Sequence, residues 1–251
     1  MNNKTAGVIN VAADLVKAVS DIRSGHDWQE ALKDIRPGDN HPILVFPGFM
    51  TGDRSTSVLR QRLTALGYDA RPWDQGINLG QTREGDMLQR MADLLKRTYM
   101  DSSRKVSLIG WSLGGLMARE VARQHPEQVR QVISLGSPIG GSPKHSPIWK
   151  LYEIITRITG RYEDVDELTK QIIQPVKNVH CIAIYSDNDG VIPSSIAKEP
   201  CLEQNENIRV TASHLGLPFS SEVLKVLGDR LSQPEEQWIP YTPDSDSPNK
   251  K

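Results

Sequence analysis

The chain has 251 residues, a length that one α/β domain fills and at which two domains would each be small. Hydrophobic residues make up 37% and charged residues 24%, which supplies one core and argues against wholesale disorder. Lys plus Arg number 30 and Asp plus Glu 31, a formal net charge of −1, so no overall field favours nucleic acid or anionic lipid.

No stretch approaches the roughly 18 consecutive apolar residues of a membrane span. Asp14 and Lys17 interrupt the start, where a signal-like run would lie, and the default expectation is a cytoplasmic protein. The 2 cysteines, Cys181 and Cys201, are too few for a zinc cluster or a disulfide framework. They bracket one loop and could pair with each other, a bridge that a reducing compartment disfavours.

From Thr5 to Arg23, apolar side chains at Val8, Val11, Ala12, Leu15, Val19 and Ile22 recur at helical spacing. This predicts an amphipathic helix packed on the body through that face, with a lid or membrane-surface role as the lesser alternative. A second short helix is predicted from Asp27 to Ile35, before the Pro37-Gly38 turn, so residues 1–40 form a helical N-terminal extension.

The main domain is expected over residues 41–232, where strands and helices alternate. Ile43 to Phe46 reads as a buried strand, Arg54 to Leu66 as a helix closed by Gly67, Asp69 to Arg71 as a short strand, and Thr82 to Thr98 as a helix. Val106 to Ile109, Val132 to Leu135, Val179 to Tyr185 and Ile208 to Val210 follow as strands, with helices at Leu116 to His125 and Ser220 to Leu231. Apolar strands separated by amphipathic helices imply a mostly parallel sheet covered on both faces. Such sheets bind ligands outside the carboxyl ends of their strands.

One connection is far longer than the usual roughly two to six residues, and residues of about 141–177 are expected to form an inserted helical cap. Ile148, Leu151, Ile154, Ile155 and Ile158 suggest one helix in it, and Val165, Leu168 and Ile172 a second. The segment 233–251, rich in Pro, Ser and charge, is expected to be unstructured.

Gly110-Trp111-Ser112-Leu113-Gly114 follows a predicted strand and opens a predicted helix, the context that gives a G-x-S-x-G pattern its meaning. A sharp strand-to-helix turn holds the serine in a strained conformation with its hydroxyl above the sheet, and the glycines leave room for crowded chain segments. A serine hydroxyl needs an adjacent base, itself oriented by a third group. Of the 6 histidines, His214 lies just past a strand, at the carboxyl edge where Ser112 sits. His26, His41, His125 and His180 fit a surface or structural role better, and His145 in the cap is a lesser candidate for a substrate contact.

The orienting acid is expected in Tyr185-Ser-Asp-Asn-Asp-Gly-Val-Ile-Pro193, where Asp187 and Asp189 compete. Asp189 is favoured, because Gly190 permits the turn and Val191-Ile192 anchors it, while Asp187 suits a turn cap. An oxyanion requires preorganised backbone N–H groups. These are expected from Leu113, after the nucleophile, and from Phe49 in the Pro47-Gly48-Phe49-Met50-Thr51-Gly52 loop. Met50 and Trp111 are possible walls of an acyl pocket, although apolar residues near a sheet end are more often plain core.

With Pro47-Gly48-Phe49, the Ser112 pentapeptide, Asp189 and His214 in that order, the sequence resembles the α/β-hydrolase superfamily, particularly its bacterial esterase and lipase branch. The resemblance runs from Ile43 to Leu231. It implies an α/β-hydrolase fold with an eight-stranded sheet, a nucleophile after the fifth strand and a cap after the sixth. The helical character of residues 1–40 implies that the first two antiparallel strands are absent.

The activity it implies is that of a serine carboxylesterase or lipase on a small-molecule or lipid ester, with a Ser112-His214-Asp189 triad and no metal or organic cofactor. Two alternatives stand beside it: an acyltransferase or thioesterase with the same triad, and a non-catalytic binding protein of the same shape.

Overall fold

Structure is described, in a computed structural model, for residues 14, 17–20, 28–33, 35–80, 86–142, 144, 149, 153, 170, 173–235 and 237–242. Six strands form one sheet: β1 (Pro42–Phe46), β2 (Asp69–Pro72), β3 (Val106–Trp111), β4 (Val129–Leu135), β5 (His180–Ser186) and β6 (Asn205–Val210). All neighbours pair in parallel, in the order β2-β1-β3-β4-β5-β6. The helices described with it are α1 (Trp28–Lys33), α2 (Ser57–Ala65), α3 (Asp86–Ser102), α4 (Leu113–Gln124) and α5 (Ser221–Leu231).

The chain winds outward from β1 to β2, then returns to place β3 on the other side of β1. The direction of winding reverses there, and it is at the carboxyl edge beside such a reversal that open parallel sheets bind their ligands. The inner strands β1, β3, β4 and β5 are buried on both faces, which is why they carry apolar runs, whereas the edge strands β2 and β6 are more polar and more exposed. Successive residues of β1 go to opposite layers: Ile43 and Val45 pack with Leu59 and Leu63 of α2 and Val223 and Leu227 of α5. Leu44 and Phe46 pack with Met87 and Met91 of α3 and Met117 and Val121 of α4.

The predicted strand cores coincide with observed strands, and the differences lie at polar ends. β4 starts at Val129, before the Val132 expected, and takes in the buried polar Gln131, whose Nε2 donates to the Arg230 carbonyl. β6 extends back to Asn205 through polar residues that an edge strand tolerates. α2 begins at Ser57 rather than Arg54, and α4 at Leu113 rather than Leu116.

Asp14 and residues 17–20 are helical, and of the predicted apolar positions Val19 alone is described. Val19 is 51% exposed, whereas Asp14 and Ala18, one turn apart, are buried. The other apolar positions named for this helix lie outside the described residues, as do both predicted cap helices, His26, His145 and residues 243–251.

The segment after Gln233 departs from the unstructured tail expected. Trp238 stacks on His180 at 4.1 Å and, with Tyr241, packs against the core and the guanidinium of Arg230. Two aromatics among polar residues give this stretch an anchor that its composition hides. Cys181 is buried and Cys201 exposed, and both are free thiols, so the bridge is not formed. Burial pushes the Cys181 thiol up from its ordinary pKa, which makes it a poor thiolate.

Candidate active site

Ser112 ends the chain's passage along β3 and opens α4 with φ 55° and ψ −120°. A non-glycine residue held there costs about 1–3 kcal/mol and persists only where its surroundings impose it. They do so here. Ser112 N–H donates to the Leu135 carbonyl at 2.9 Å, and α4 folds back so closely that a β-carbon on Gly110 would meet Gly114 backbone at 2.4 Å. A β-carbon on Gly114 would in turn meet the Phe46 carbonyl oxygen at 2.4 Å. The glycine spacing is thus a packing requirement, and Ser112 is half-buried with its hydroxyl not engaged in capping α4.

The loop after β1 passes beside this serine, since a β-carbon on Gly48 would lie 3.4 Å from Ser112 Cβ. Phe49 and Met50 form its turn, with Met50 at φ 59° and 49% exposed. Leu113 is the first residue of α4, where an N–H has no carbonyl of its own helix to bond. Trp111, expected beside Met50 in a pocket wall, is buried in the core and donates its indole N–H to the His214 carbonyl at 3.1 Å. Its contacts brace the loop that carries His214.

His214 and Asp189 come together at the carboxyl ends of β6 and β5. His214 Nδ1 lies 2.7 Å from Asp189 Oδ2, and both side chains are almost fully buried. Asp189 Oδ1 accepts from the N–H groups of Val191 and Ile192 at 2.8 and 2.7 Å, so the carboxylate is held on both oxygens. Asp187 faces solvent instead, paired with Arg209. Gly136, which follows β4 at φ 56°, lies against the pair.

The other described histidines are placed elsewhere. His41 is buried at the amino edge of the sheet, His125 closes α4, and His180 opens β5. Among the described residues no group of three or more His, Cys, Asp or Glu side chains could hold a metal ion. No described helix is long and apolar enough to cross a membrane.

A family model described as alpha/beta hydrolase fold matches residues 64–158. Among solved structures, a lipase, BlEst2, of Bacillus licheniformis superposes with a TM-score of 0.57 at 16% identity, covering 78% of this chain and 94% of that one. A monoacylglycerol lipase of Paleococcus ferrophilus superposes with a TM-score of 0.57 at 14% identity, over 79% of this chain and 97% of that one. The protein has the α/β-hydrolase fold. A curated relative, Serine hydrolase BPHL of Mus musculus, is 27% identical over 107 residues, 39% of this chain. The match spans 36% of that relative's length.

Within this hydrolase fold the turn that carries Ser112 follows the third described strand and the long connection follows the fourth. Those are the positions expected once the first two strands of an eight-stranded sheet are absent. Two residues that shape the site gave no motif signal. Asn78, fully buried, donates to the Pro47 carbonyl at 2.8 Å, accepts from Gly80 N–H, and receives the Met50 N–H on its carbonyl, bracing the loop after β1. Asp14 accepts from the N–H groups of Gly190, His214 and Leu215. An Asn in a loop and an Asp in an amphipathic helix look ordinary until their distant partners are known.

Proposed function

We propose that the protein is a serine hydrolase of carboxylic esters. The observation that carries this reading is the pairing of a strained strand-to-helix serine with a buried His214–Asp189 hydrogen bond at the same sheet edge. The hydrolase fold and its lipase neighbours support it.

In this reading Ser112 Oγ attacks the ester carbonyl carbon while His214 Nε2 takes its proton. The carbonyl π electrons move to oxygen, and the backbone N–H groups of Phe49 and Leu113 hold that oxyanion. As the intermediate collapses, His214 returns the proton to the departing alcohol and the acyl group stays on Ser112. A water, deprotonated by His214, attacks the acyl-enzyme; the acid leaves and Ser112 recovers its proton. Asp189 keeps the His214 tautomer with Nδ1–H toward the carboxylate and stabilises the imidazolium.

The test is hydrolysis of p-nitrophenyl esters from acetate to palmitate, with Ser112→Ala beside the parent, together with fluorophosphonate labelling. Ester turnover and labelling that both vanish in Ser112→Ala support the reading, and the chain-length optimum reports the pocket. Labelling of Ser112 without ester turnover points to a different acyl donor or acceptor. Product that partitions to an added alcohol far beyond its share against water identifies acyl transfer. The absence of both labelling and turnover would overturn the enzyme reading.

A further inference from the structure

We propose that Asp14 is a positioning residue for the candidate base. On this view its carboxylate, delivered by the N-terminal helix, ties the segment that carries His214 to the turn that carries Asp189. The proposal rests on the hydrolase reading, and its test separates the two.

Asp14 is 1% exposed. A carboxylate removed from water is stable only when its lone pairs are occupied. Here all the donors are backbone amides: Asp14 Oδ1 accepts from His214 N–H at 2.8 Å and Gly190 N–H at 3.0 Å, and Oδ2 from Leu215 N–H at 3.0 Å. These charge-assisted bonds are stronger than neutral ones. They come from two loops that follow different strands, β5 and β6, and each loop carries one member of the hydrogen-bonded Asp189–His214 pair.

The consequence for His214 is specific. Its main chain is gripped on both sides, with the N–H on Asp14 and the carbonyl on the Trp111 indole next to Ser112. Its side chain is held by Asp189. Asp14 therefore constrains the imidazole relative to both the acid and the nucleophile, and an error of about 1 Å in such a placement costs on the order of a hundredfold in rate. Ala18, buried one turn further on, shows that the helix has an apolar foothold besides the carboxylate, so a variant at position 14 can keep it docked.

The experiment compares full-length Asp14→Ala and Asp14→Asn with the parent, using kcat per active site titrated with a fluorophosphonate, KM, and melting temperature. A second readout, independent of turnover, is the low-field proton resonance of His214 Nδ1–H, assigned by its loss in Asp189→Asn. Asp14→Ala is expected to lower kcat per titrated site about ten- to a hundredfold with KM nearly unchanged, and to broaden or move the resonance. Asp14→Asn keeps one oxygen for the His214 and Gly190 amides and should fall between Ala and parent.

A merely structural Asp14 would lower the melting temperature and the titratable fraction while leaving kcat per site and the resonance intact, and that result overturns the proposal. If Asp14→Ala does not fold, Asp14→Asn decides by the same readouts. If the parent shows neither labelling nor turnover, the hydrolase reading has failed. The resonance then decides alone: its disturbance in the Asp14 variants supports positioning of the pair, and its persistence overturns it.

Discussion

Gly136 closes over His214: a β-carbon at position 136 would stand 3.1 Å from the imidazole Nδ1 and 2.9 Å from the partner oxygen of Asp189. The Leu217 methyl, at 2.6 Å, can rotate away, but the carboxylate and ring can yield only by stretching their 2.7 Å hydrogen bond. Gly136 also sits at φ 56°, where an L side chain is strained by about 1–2 kcal/mol. Gly136→Ala is therefore expected to reduce ester turnover by about a hundredfold and to lower the melting temperature by several degrees. Turnover within threefold of the parent, measured below the transition, would show that the pair does not depend on this space.

The two aspartates after β5 differ in what holds them. Asp189 is engaged by two amides and the imidazole, and replacing its Oδ2 with an amide nitrogen would favour the wrong tautomer of His214. Asp187 pairs with Arg209 at the surface, an arrangement that contributes little. Asp189→Asn should cost about 10⁴ in kcat and Asp187→Asn less than about threefold, in the same p-nitrophenyl ester assay. The reverse order would move the acid role to Asp187.

What was legible in the sequence follows from the range of the forces involved. β1, β3 and β5 were readable because each carries a buried apolar run, Ile43 to Phe46, Leu108 to Ile109 and Cys181 to Ile184, and Ser112 because the close approach of α4 to β3 demands glycine at neighbouring positions. Local turn chemistry favoured Asp189 over Asp187, and it is Asp189 that lies 2.7 Å from His214 Nδ1. Asp14, Asn78 and Gly136 were not legible, because their roles come from contacts between segments far apart in the chain, such as Asp14 with His214. The same holds for Trp238, whose stacking partner His180 belongs to another element, and for the burial of Asp14 beside Ala18.

Arg119, on the helix that Ser112 opens, is locked to Glu199 in a buried ion pair, with Nη2 2.8 Å from Oε2 and Nε 2.8 Å from Oε1. Glu199 lies before β6, where its N–H is held by Asn207 at 2.7 Å, so the pair joins the helix after Ser112 to the far edge of the sheet. Removing one partner leaves a buried charge. Arg119→Met and Glu199→Gln should each destabilise by about 3–5 kcal/mol, whereas the Arg119→Met, Glu199→Met double variant should recover much of that loss. Urea denaturation of the three variants measures it, and a double variant no more stable than either single one would contradict the account.

At the amino edge of the sheet, away from Ser112, a Ser–His–Asp chain is present: His41 Nε2 lies 2.9 Å from Ser107 Oγ, and Nδ1 lies 2.5 Å from Asp39 Oδ1. Ser107 and His41 are fully buried, and Ser107 stands about 16 Å from Ser112, taking ~3.3 Å per strand residue. It should therefore remain unlabelled by fluorophosphonate. Burial, with the charges of Arg130 and Arg104, drives the His41 imidazole down to about 4 against the opposing pull of Asp39, so His41 is neutral, donating from Nδ1–H to Asp39 and accepting from Ser107.

Burial raises the Asp39 carboxyl, but His41 and Arg104 outweigh it and hold it below the usual carboxylate range. Above pH 6.5 His41 is neutral in both folded and unfolded chains, and its contribution is constant. Below that pH the unfolded chain takes a proton that the folded one refuses until about 4, so stability falls across that window by about 3 kcal/mol. Asp39 acts in the same direction at lower pH, where the unfolded carboxylate protonates first. Urea denaturation from pH 8 to pH 4 should show this decline, and His41→Asn should flatten it between pH 6.5 and 4. A slope unchanged in His41→Asn would place the acid-sensitive group elsewhere.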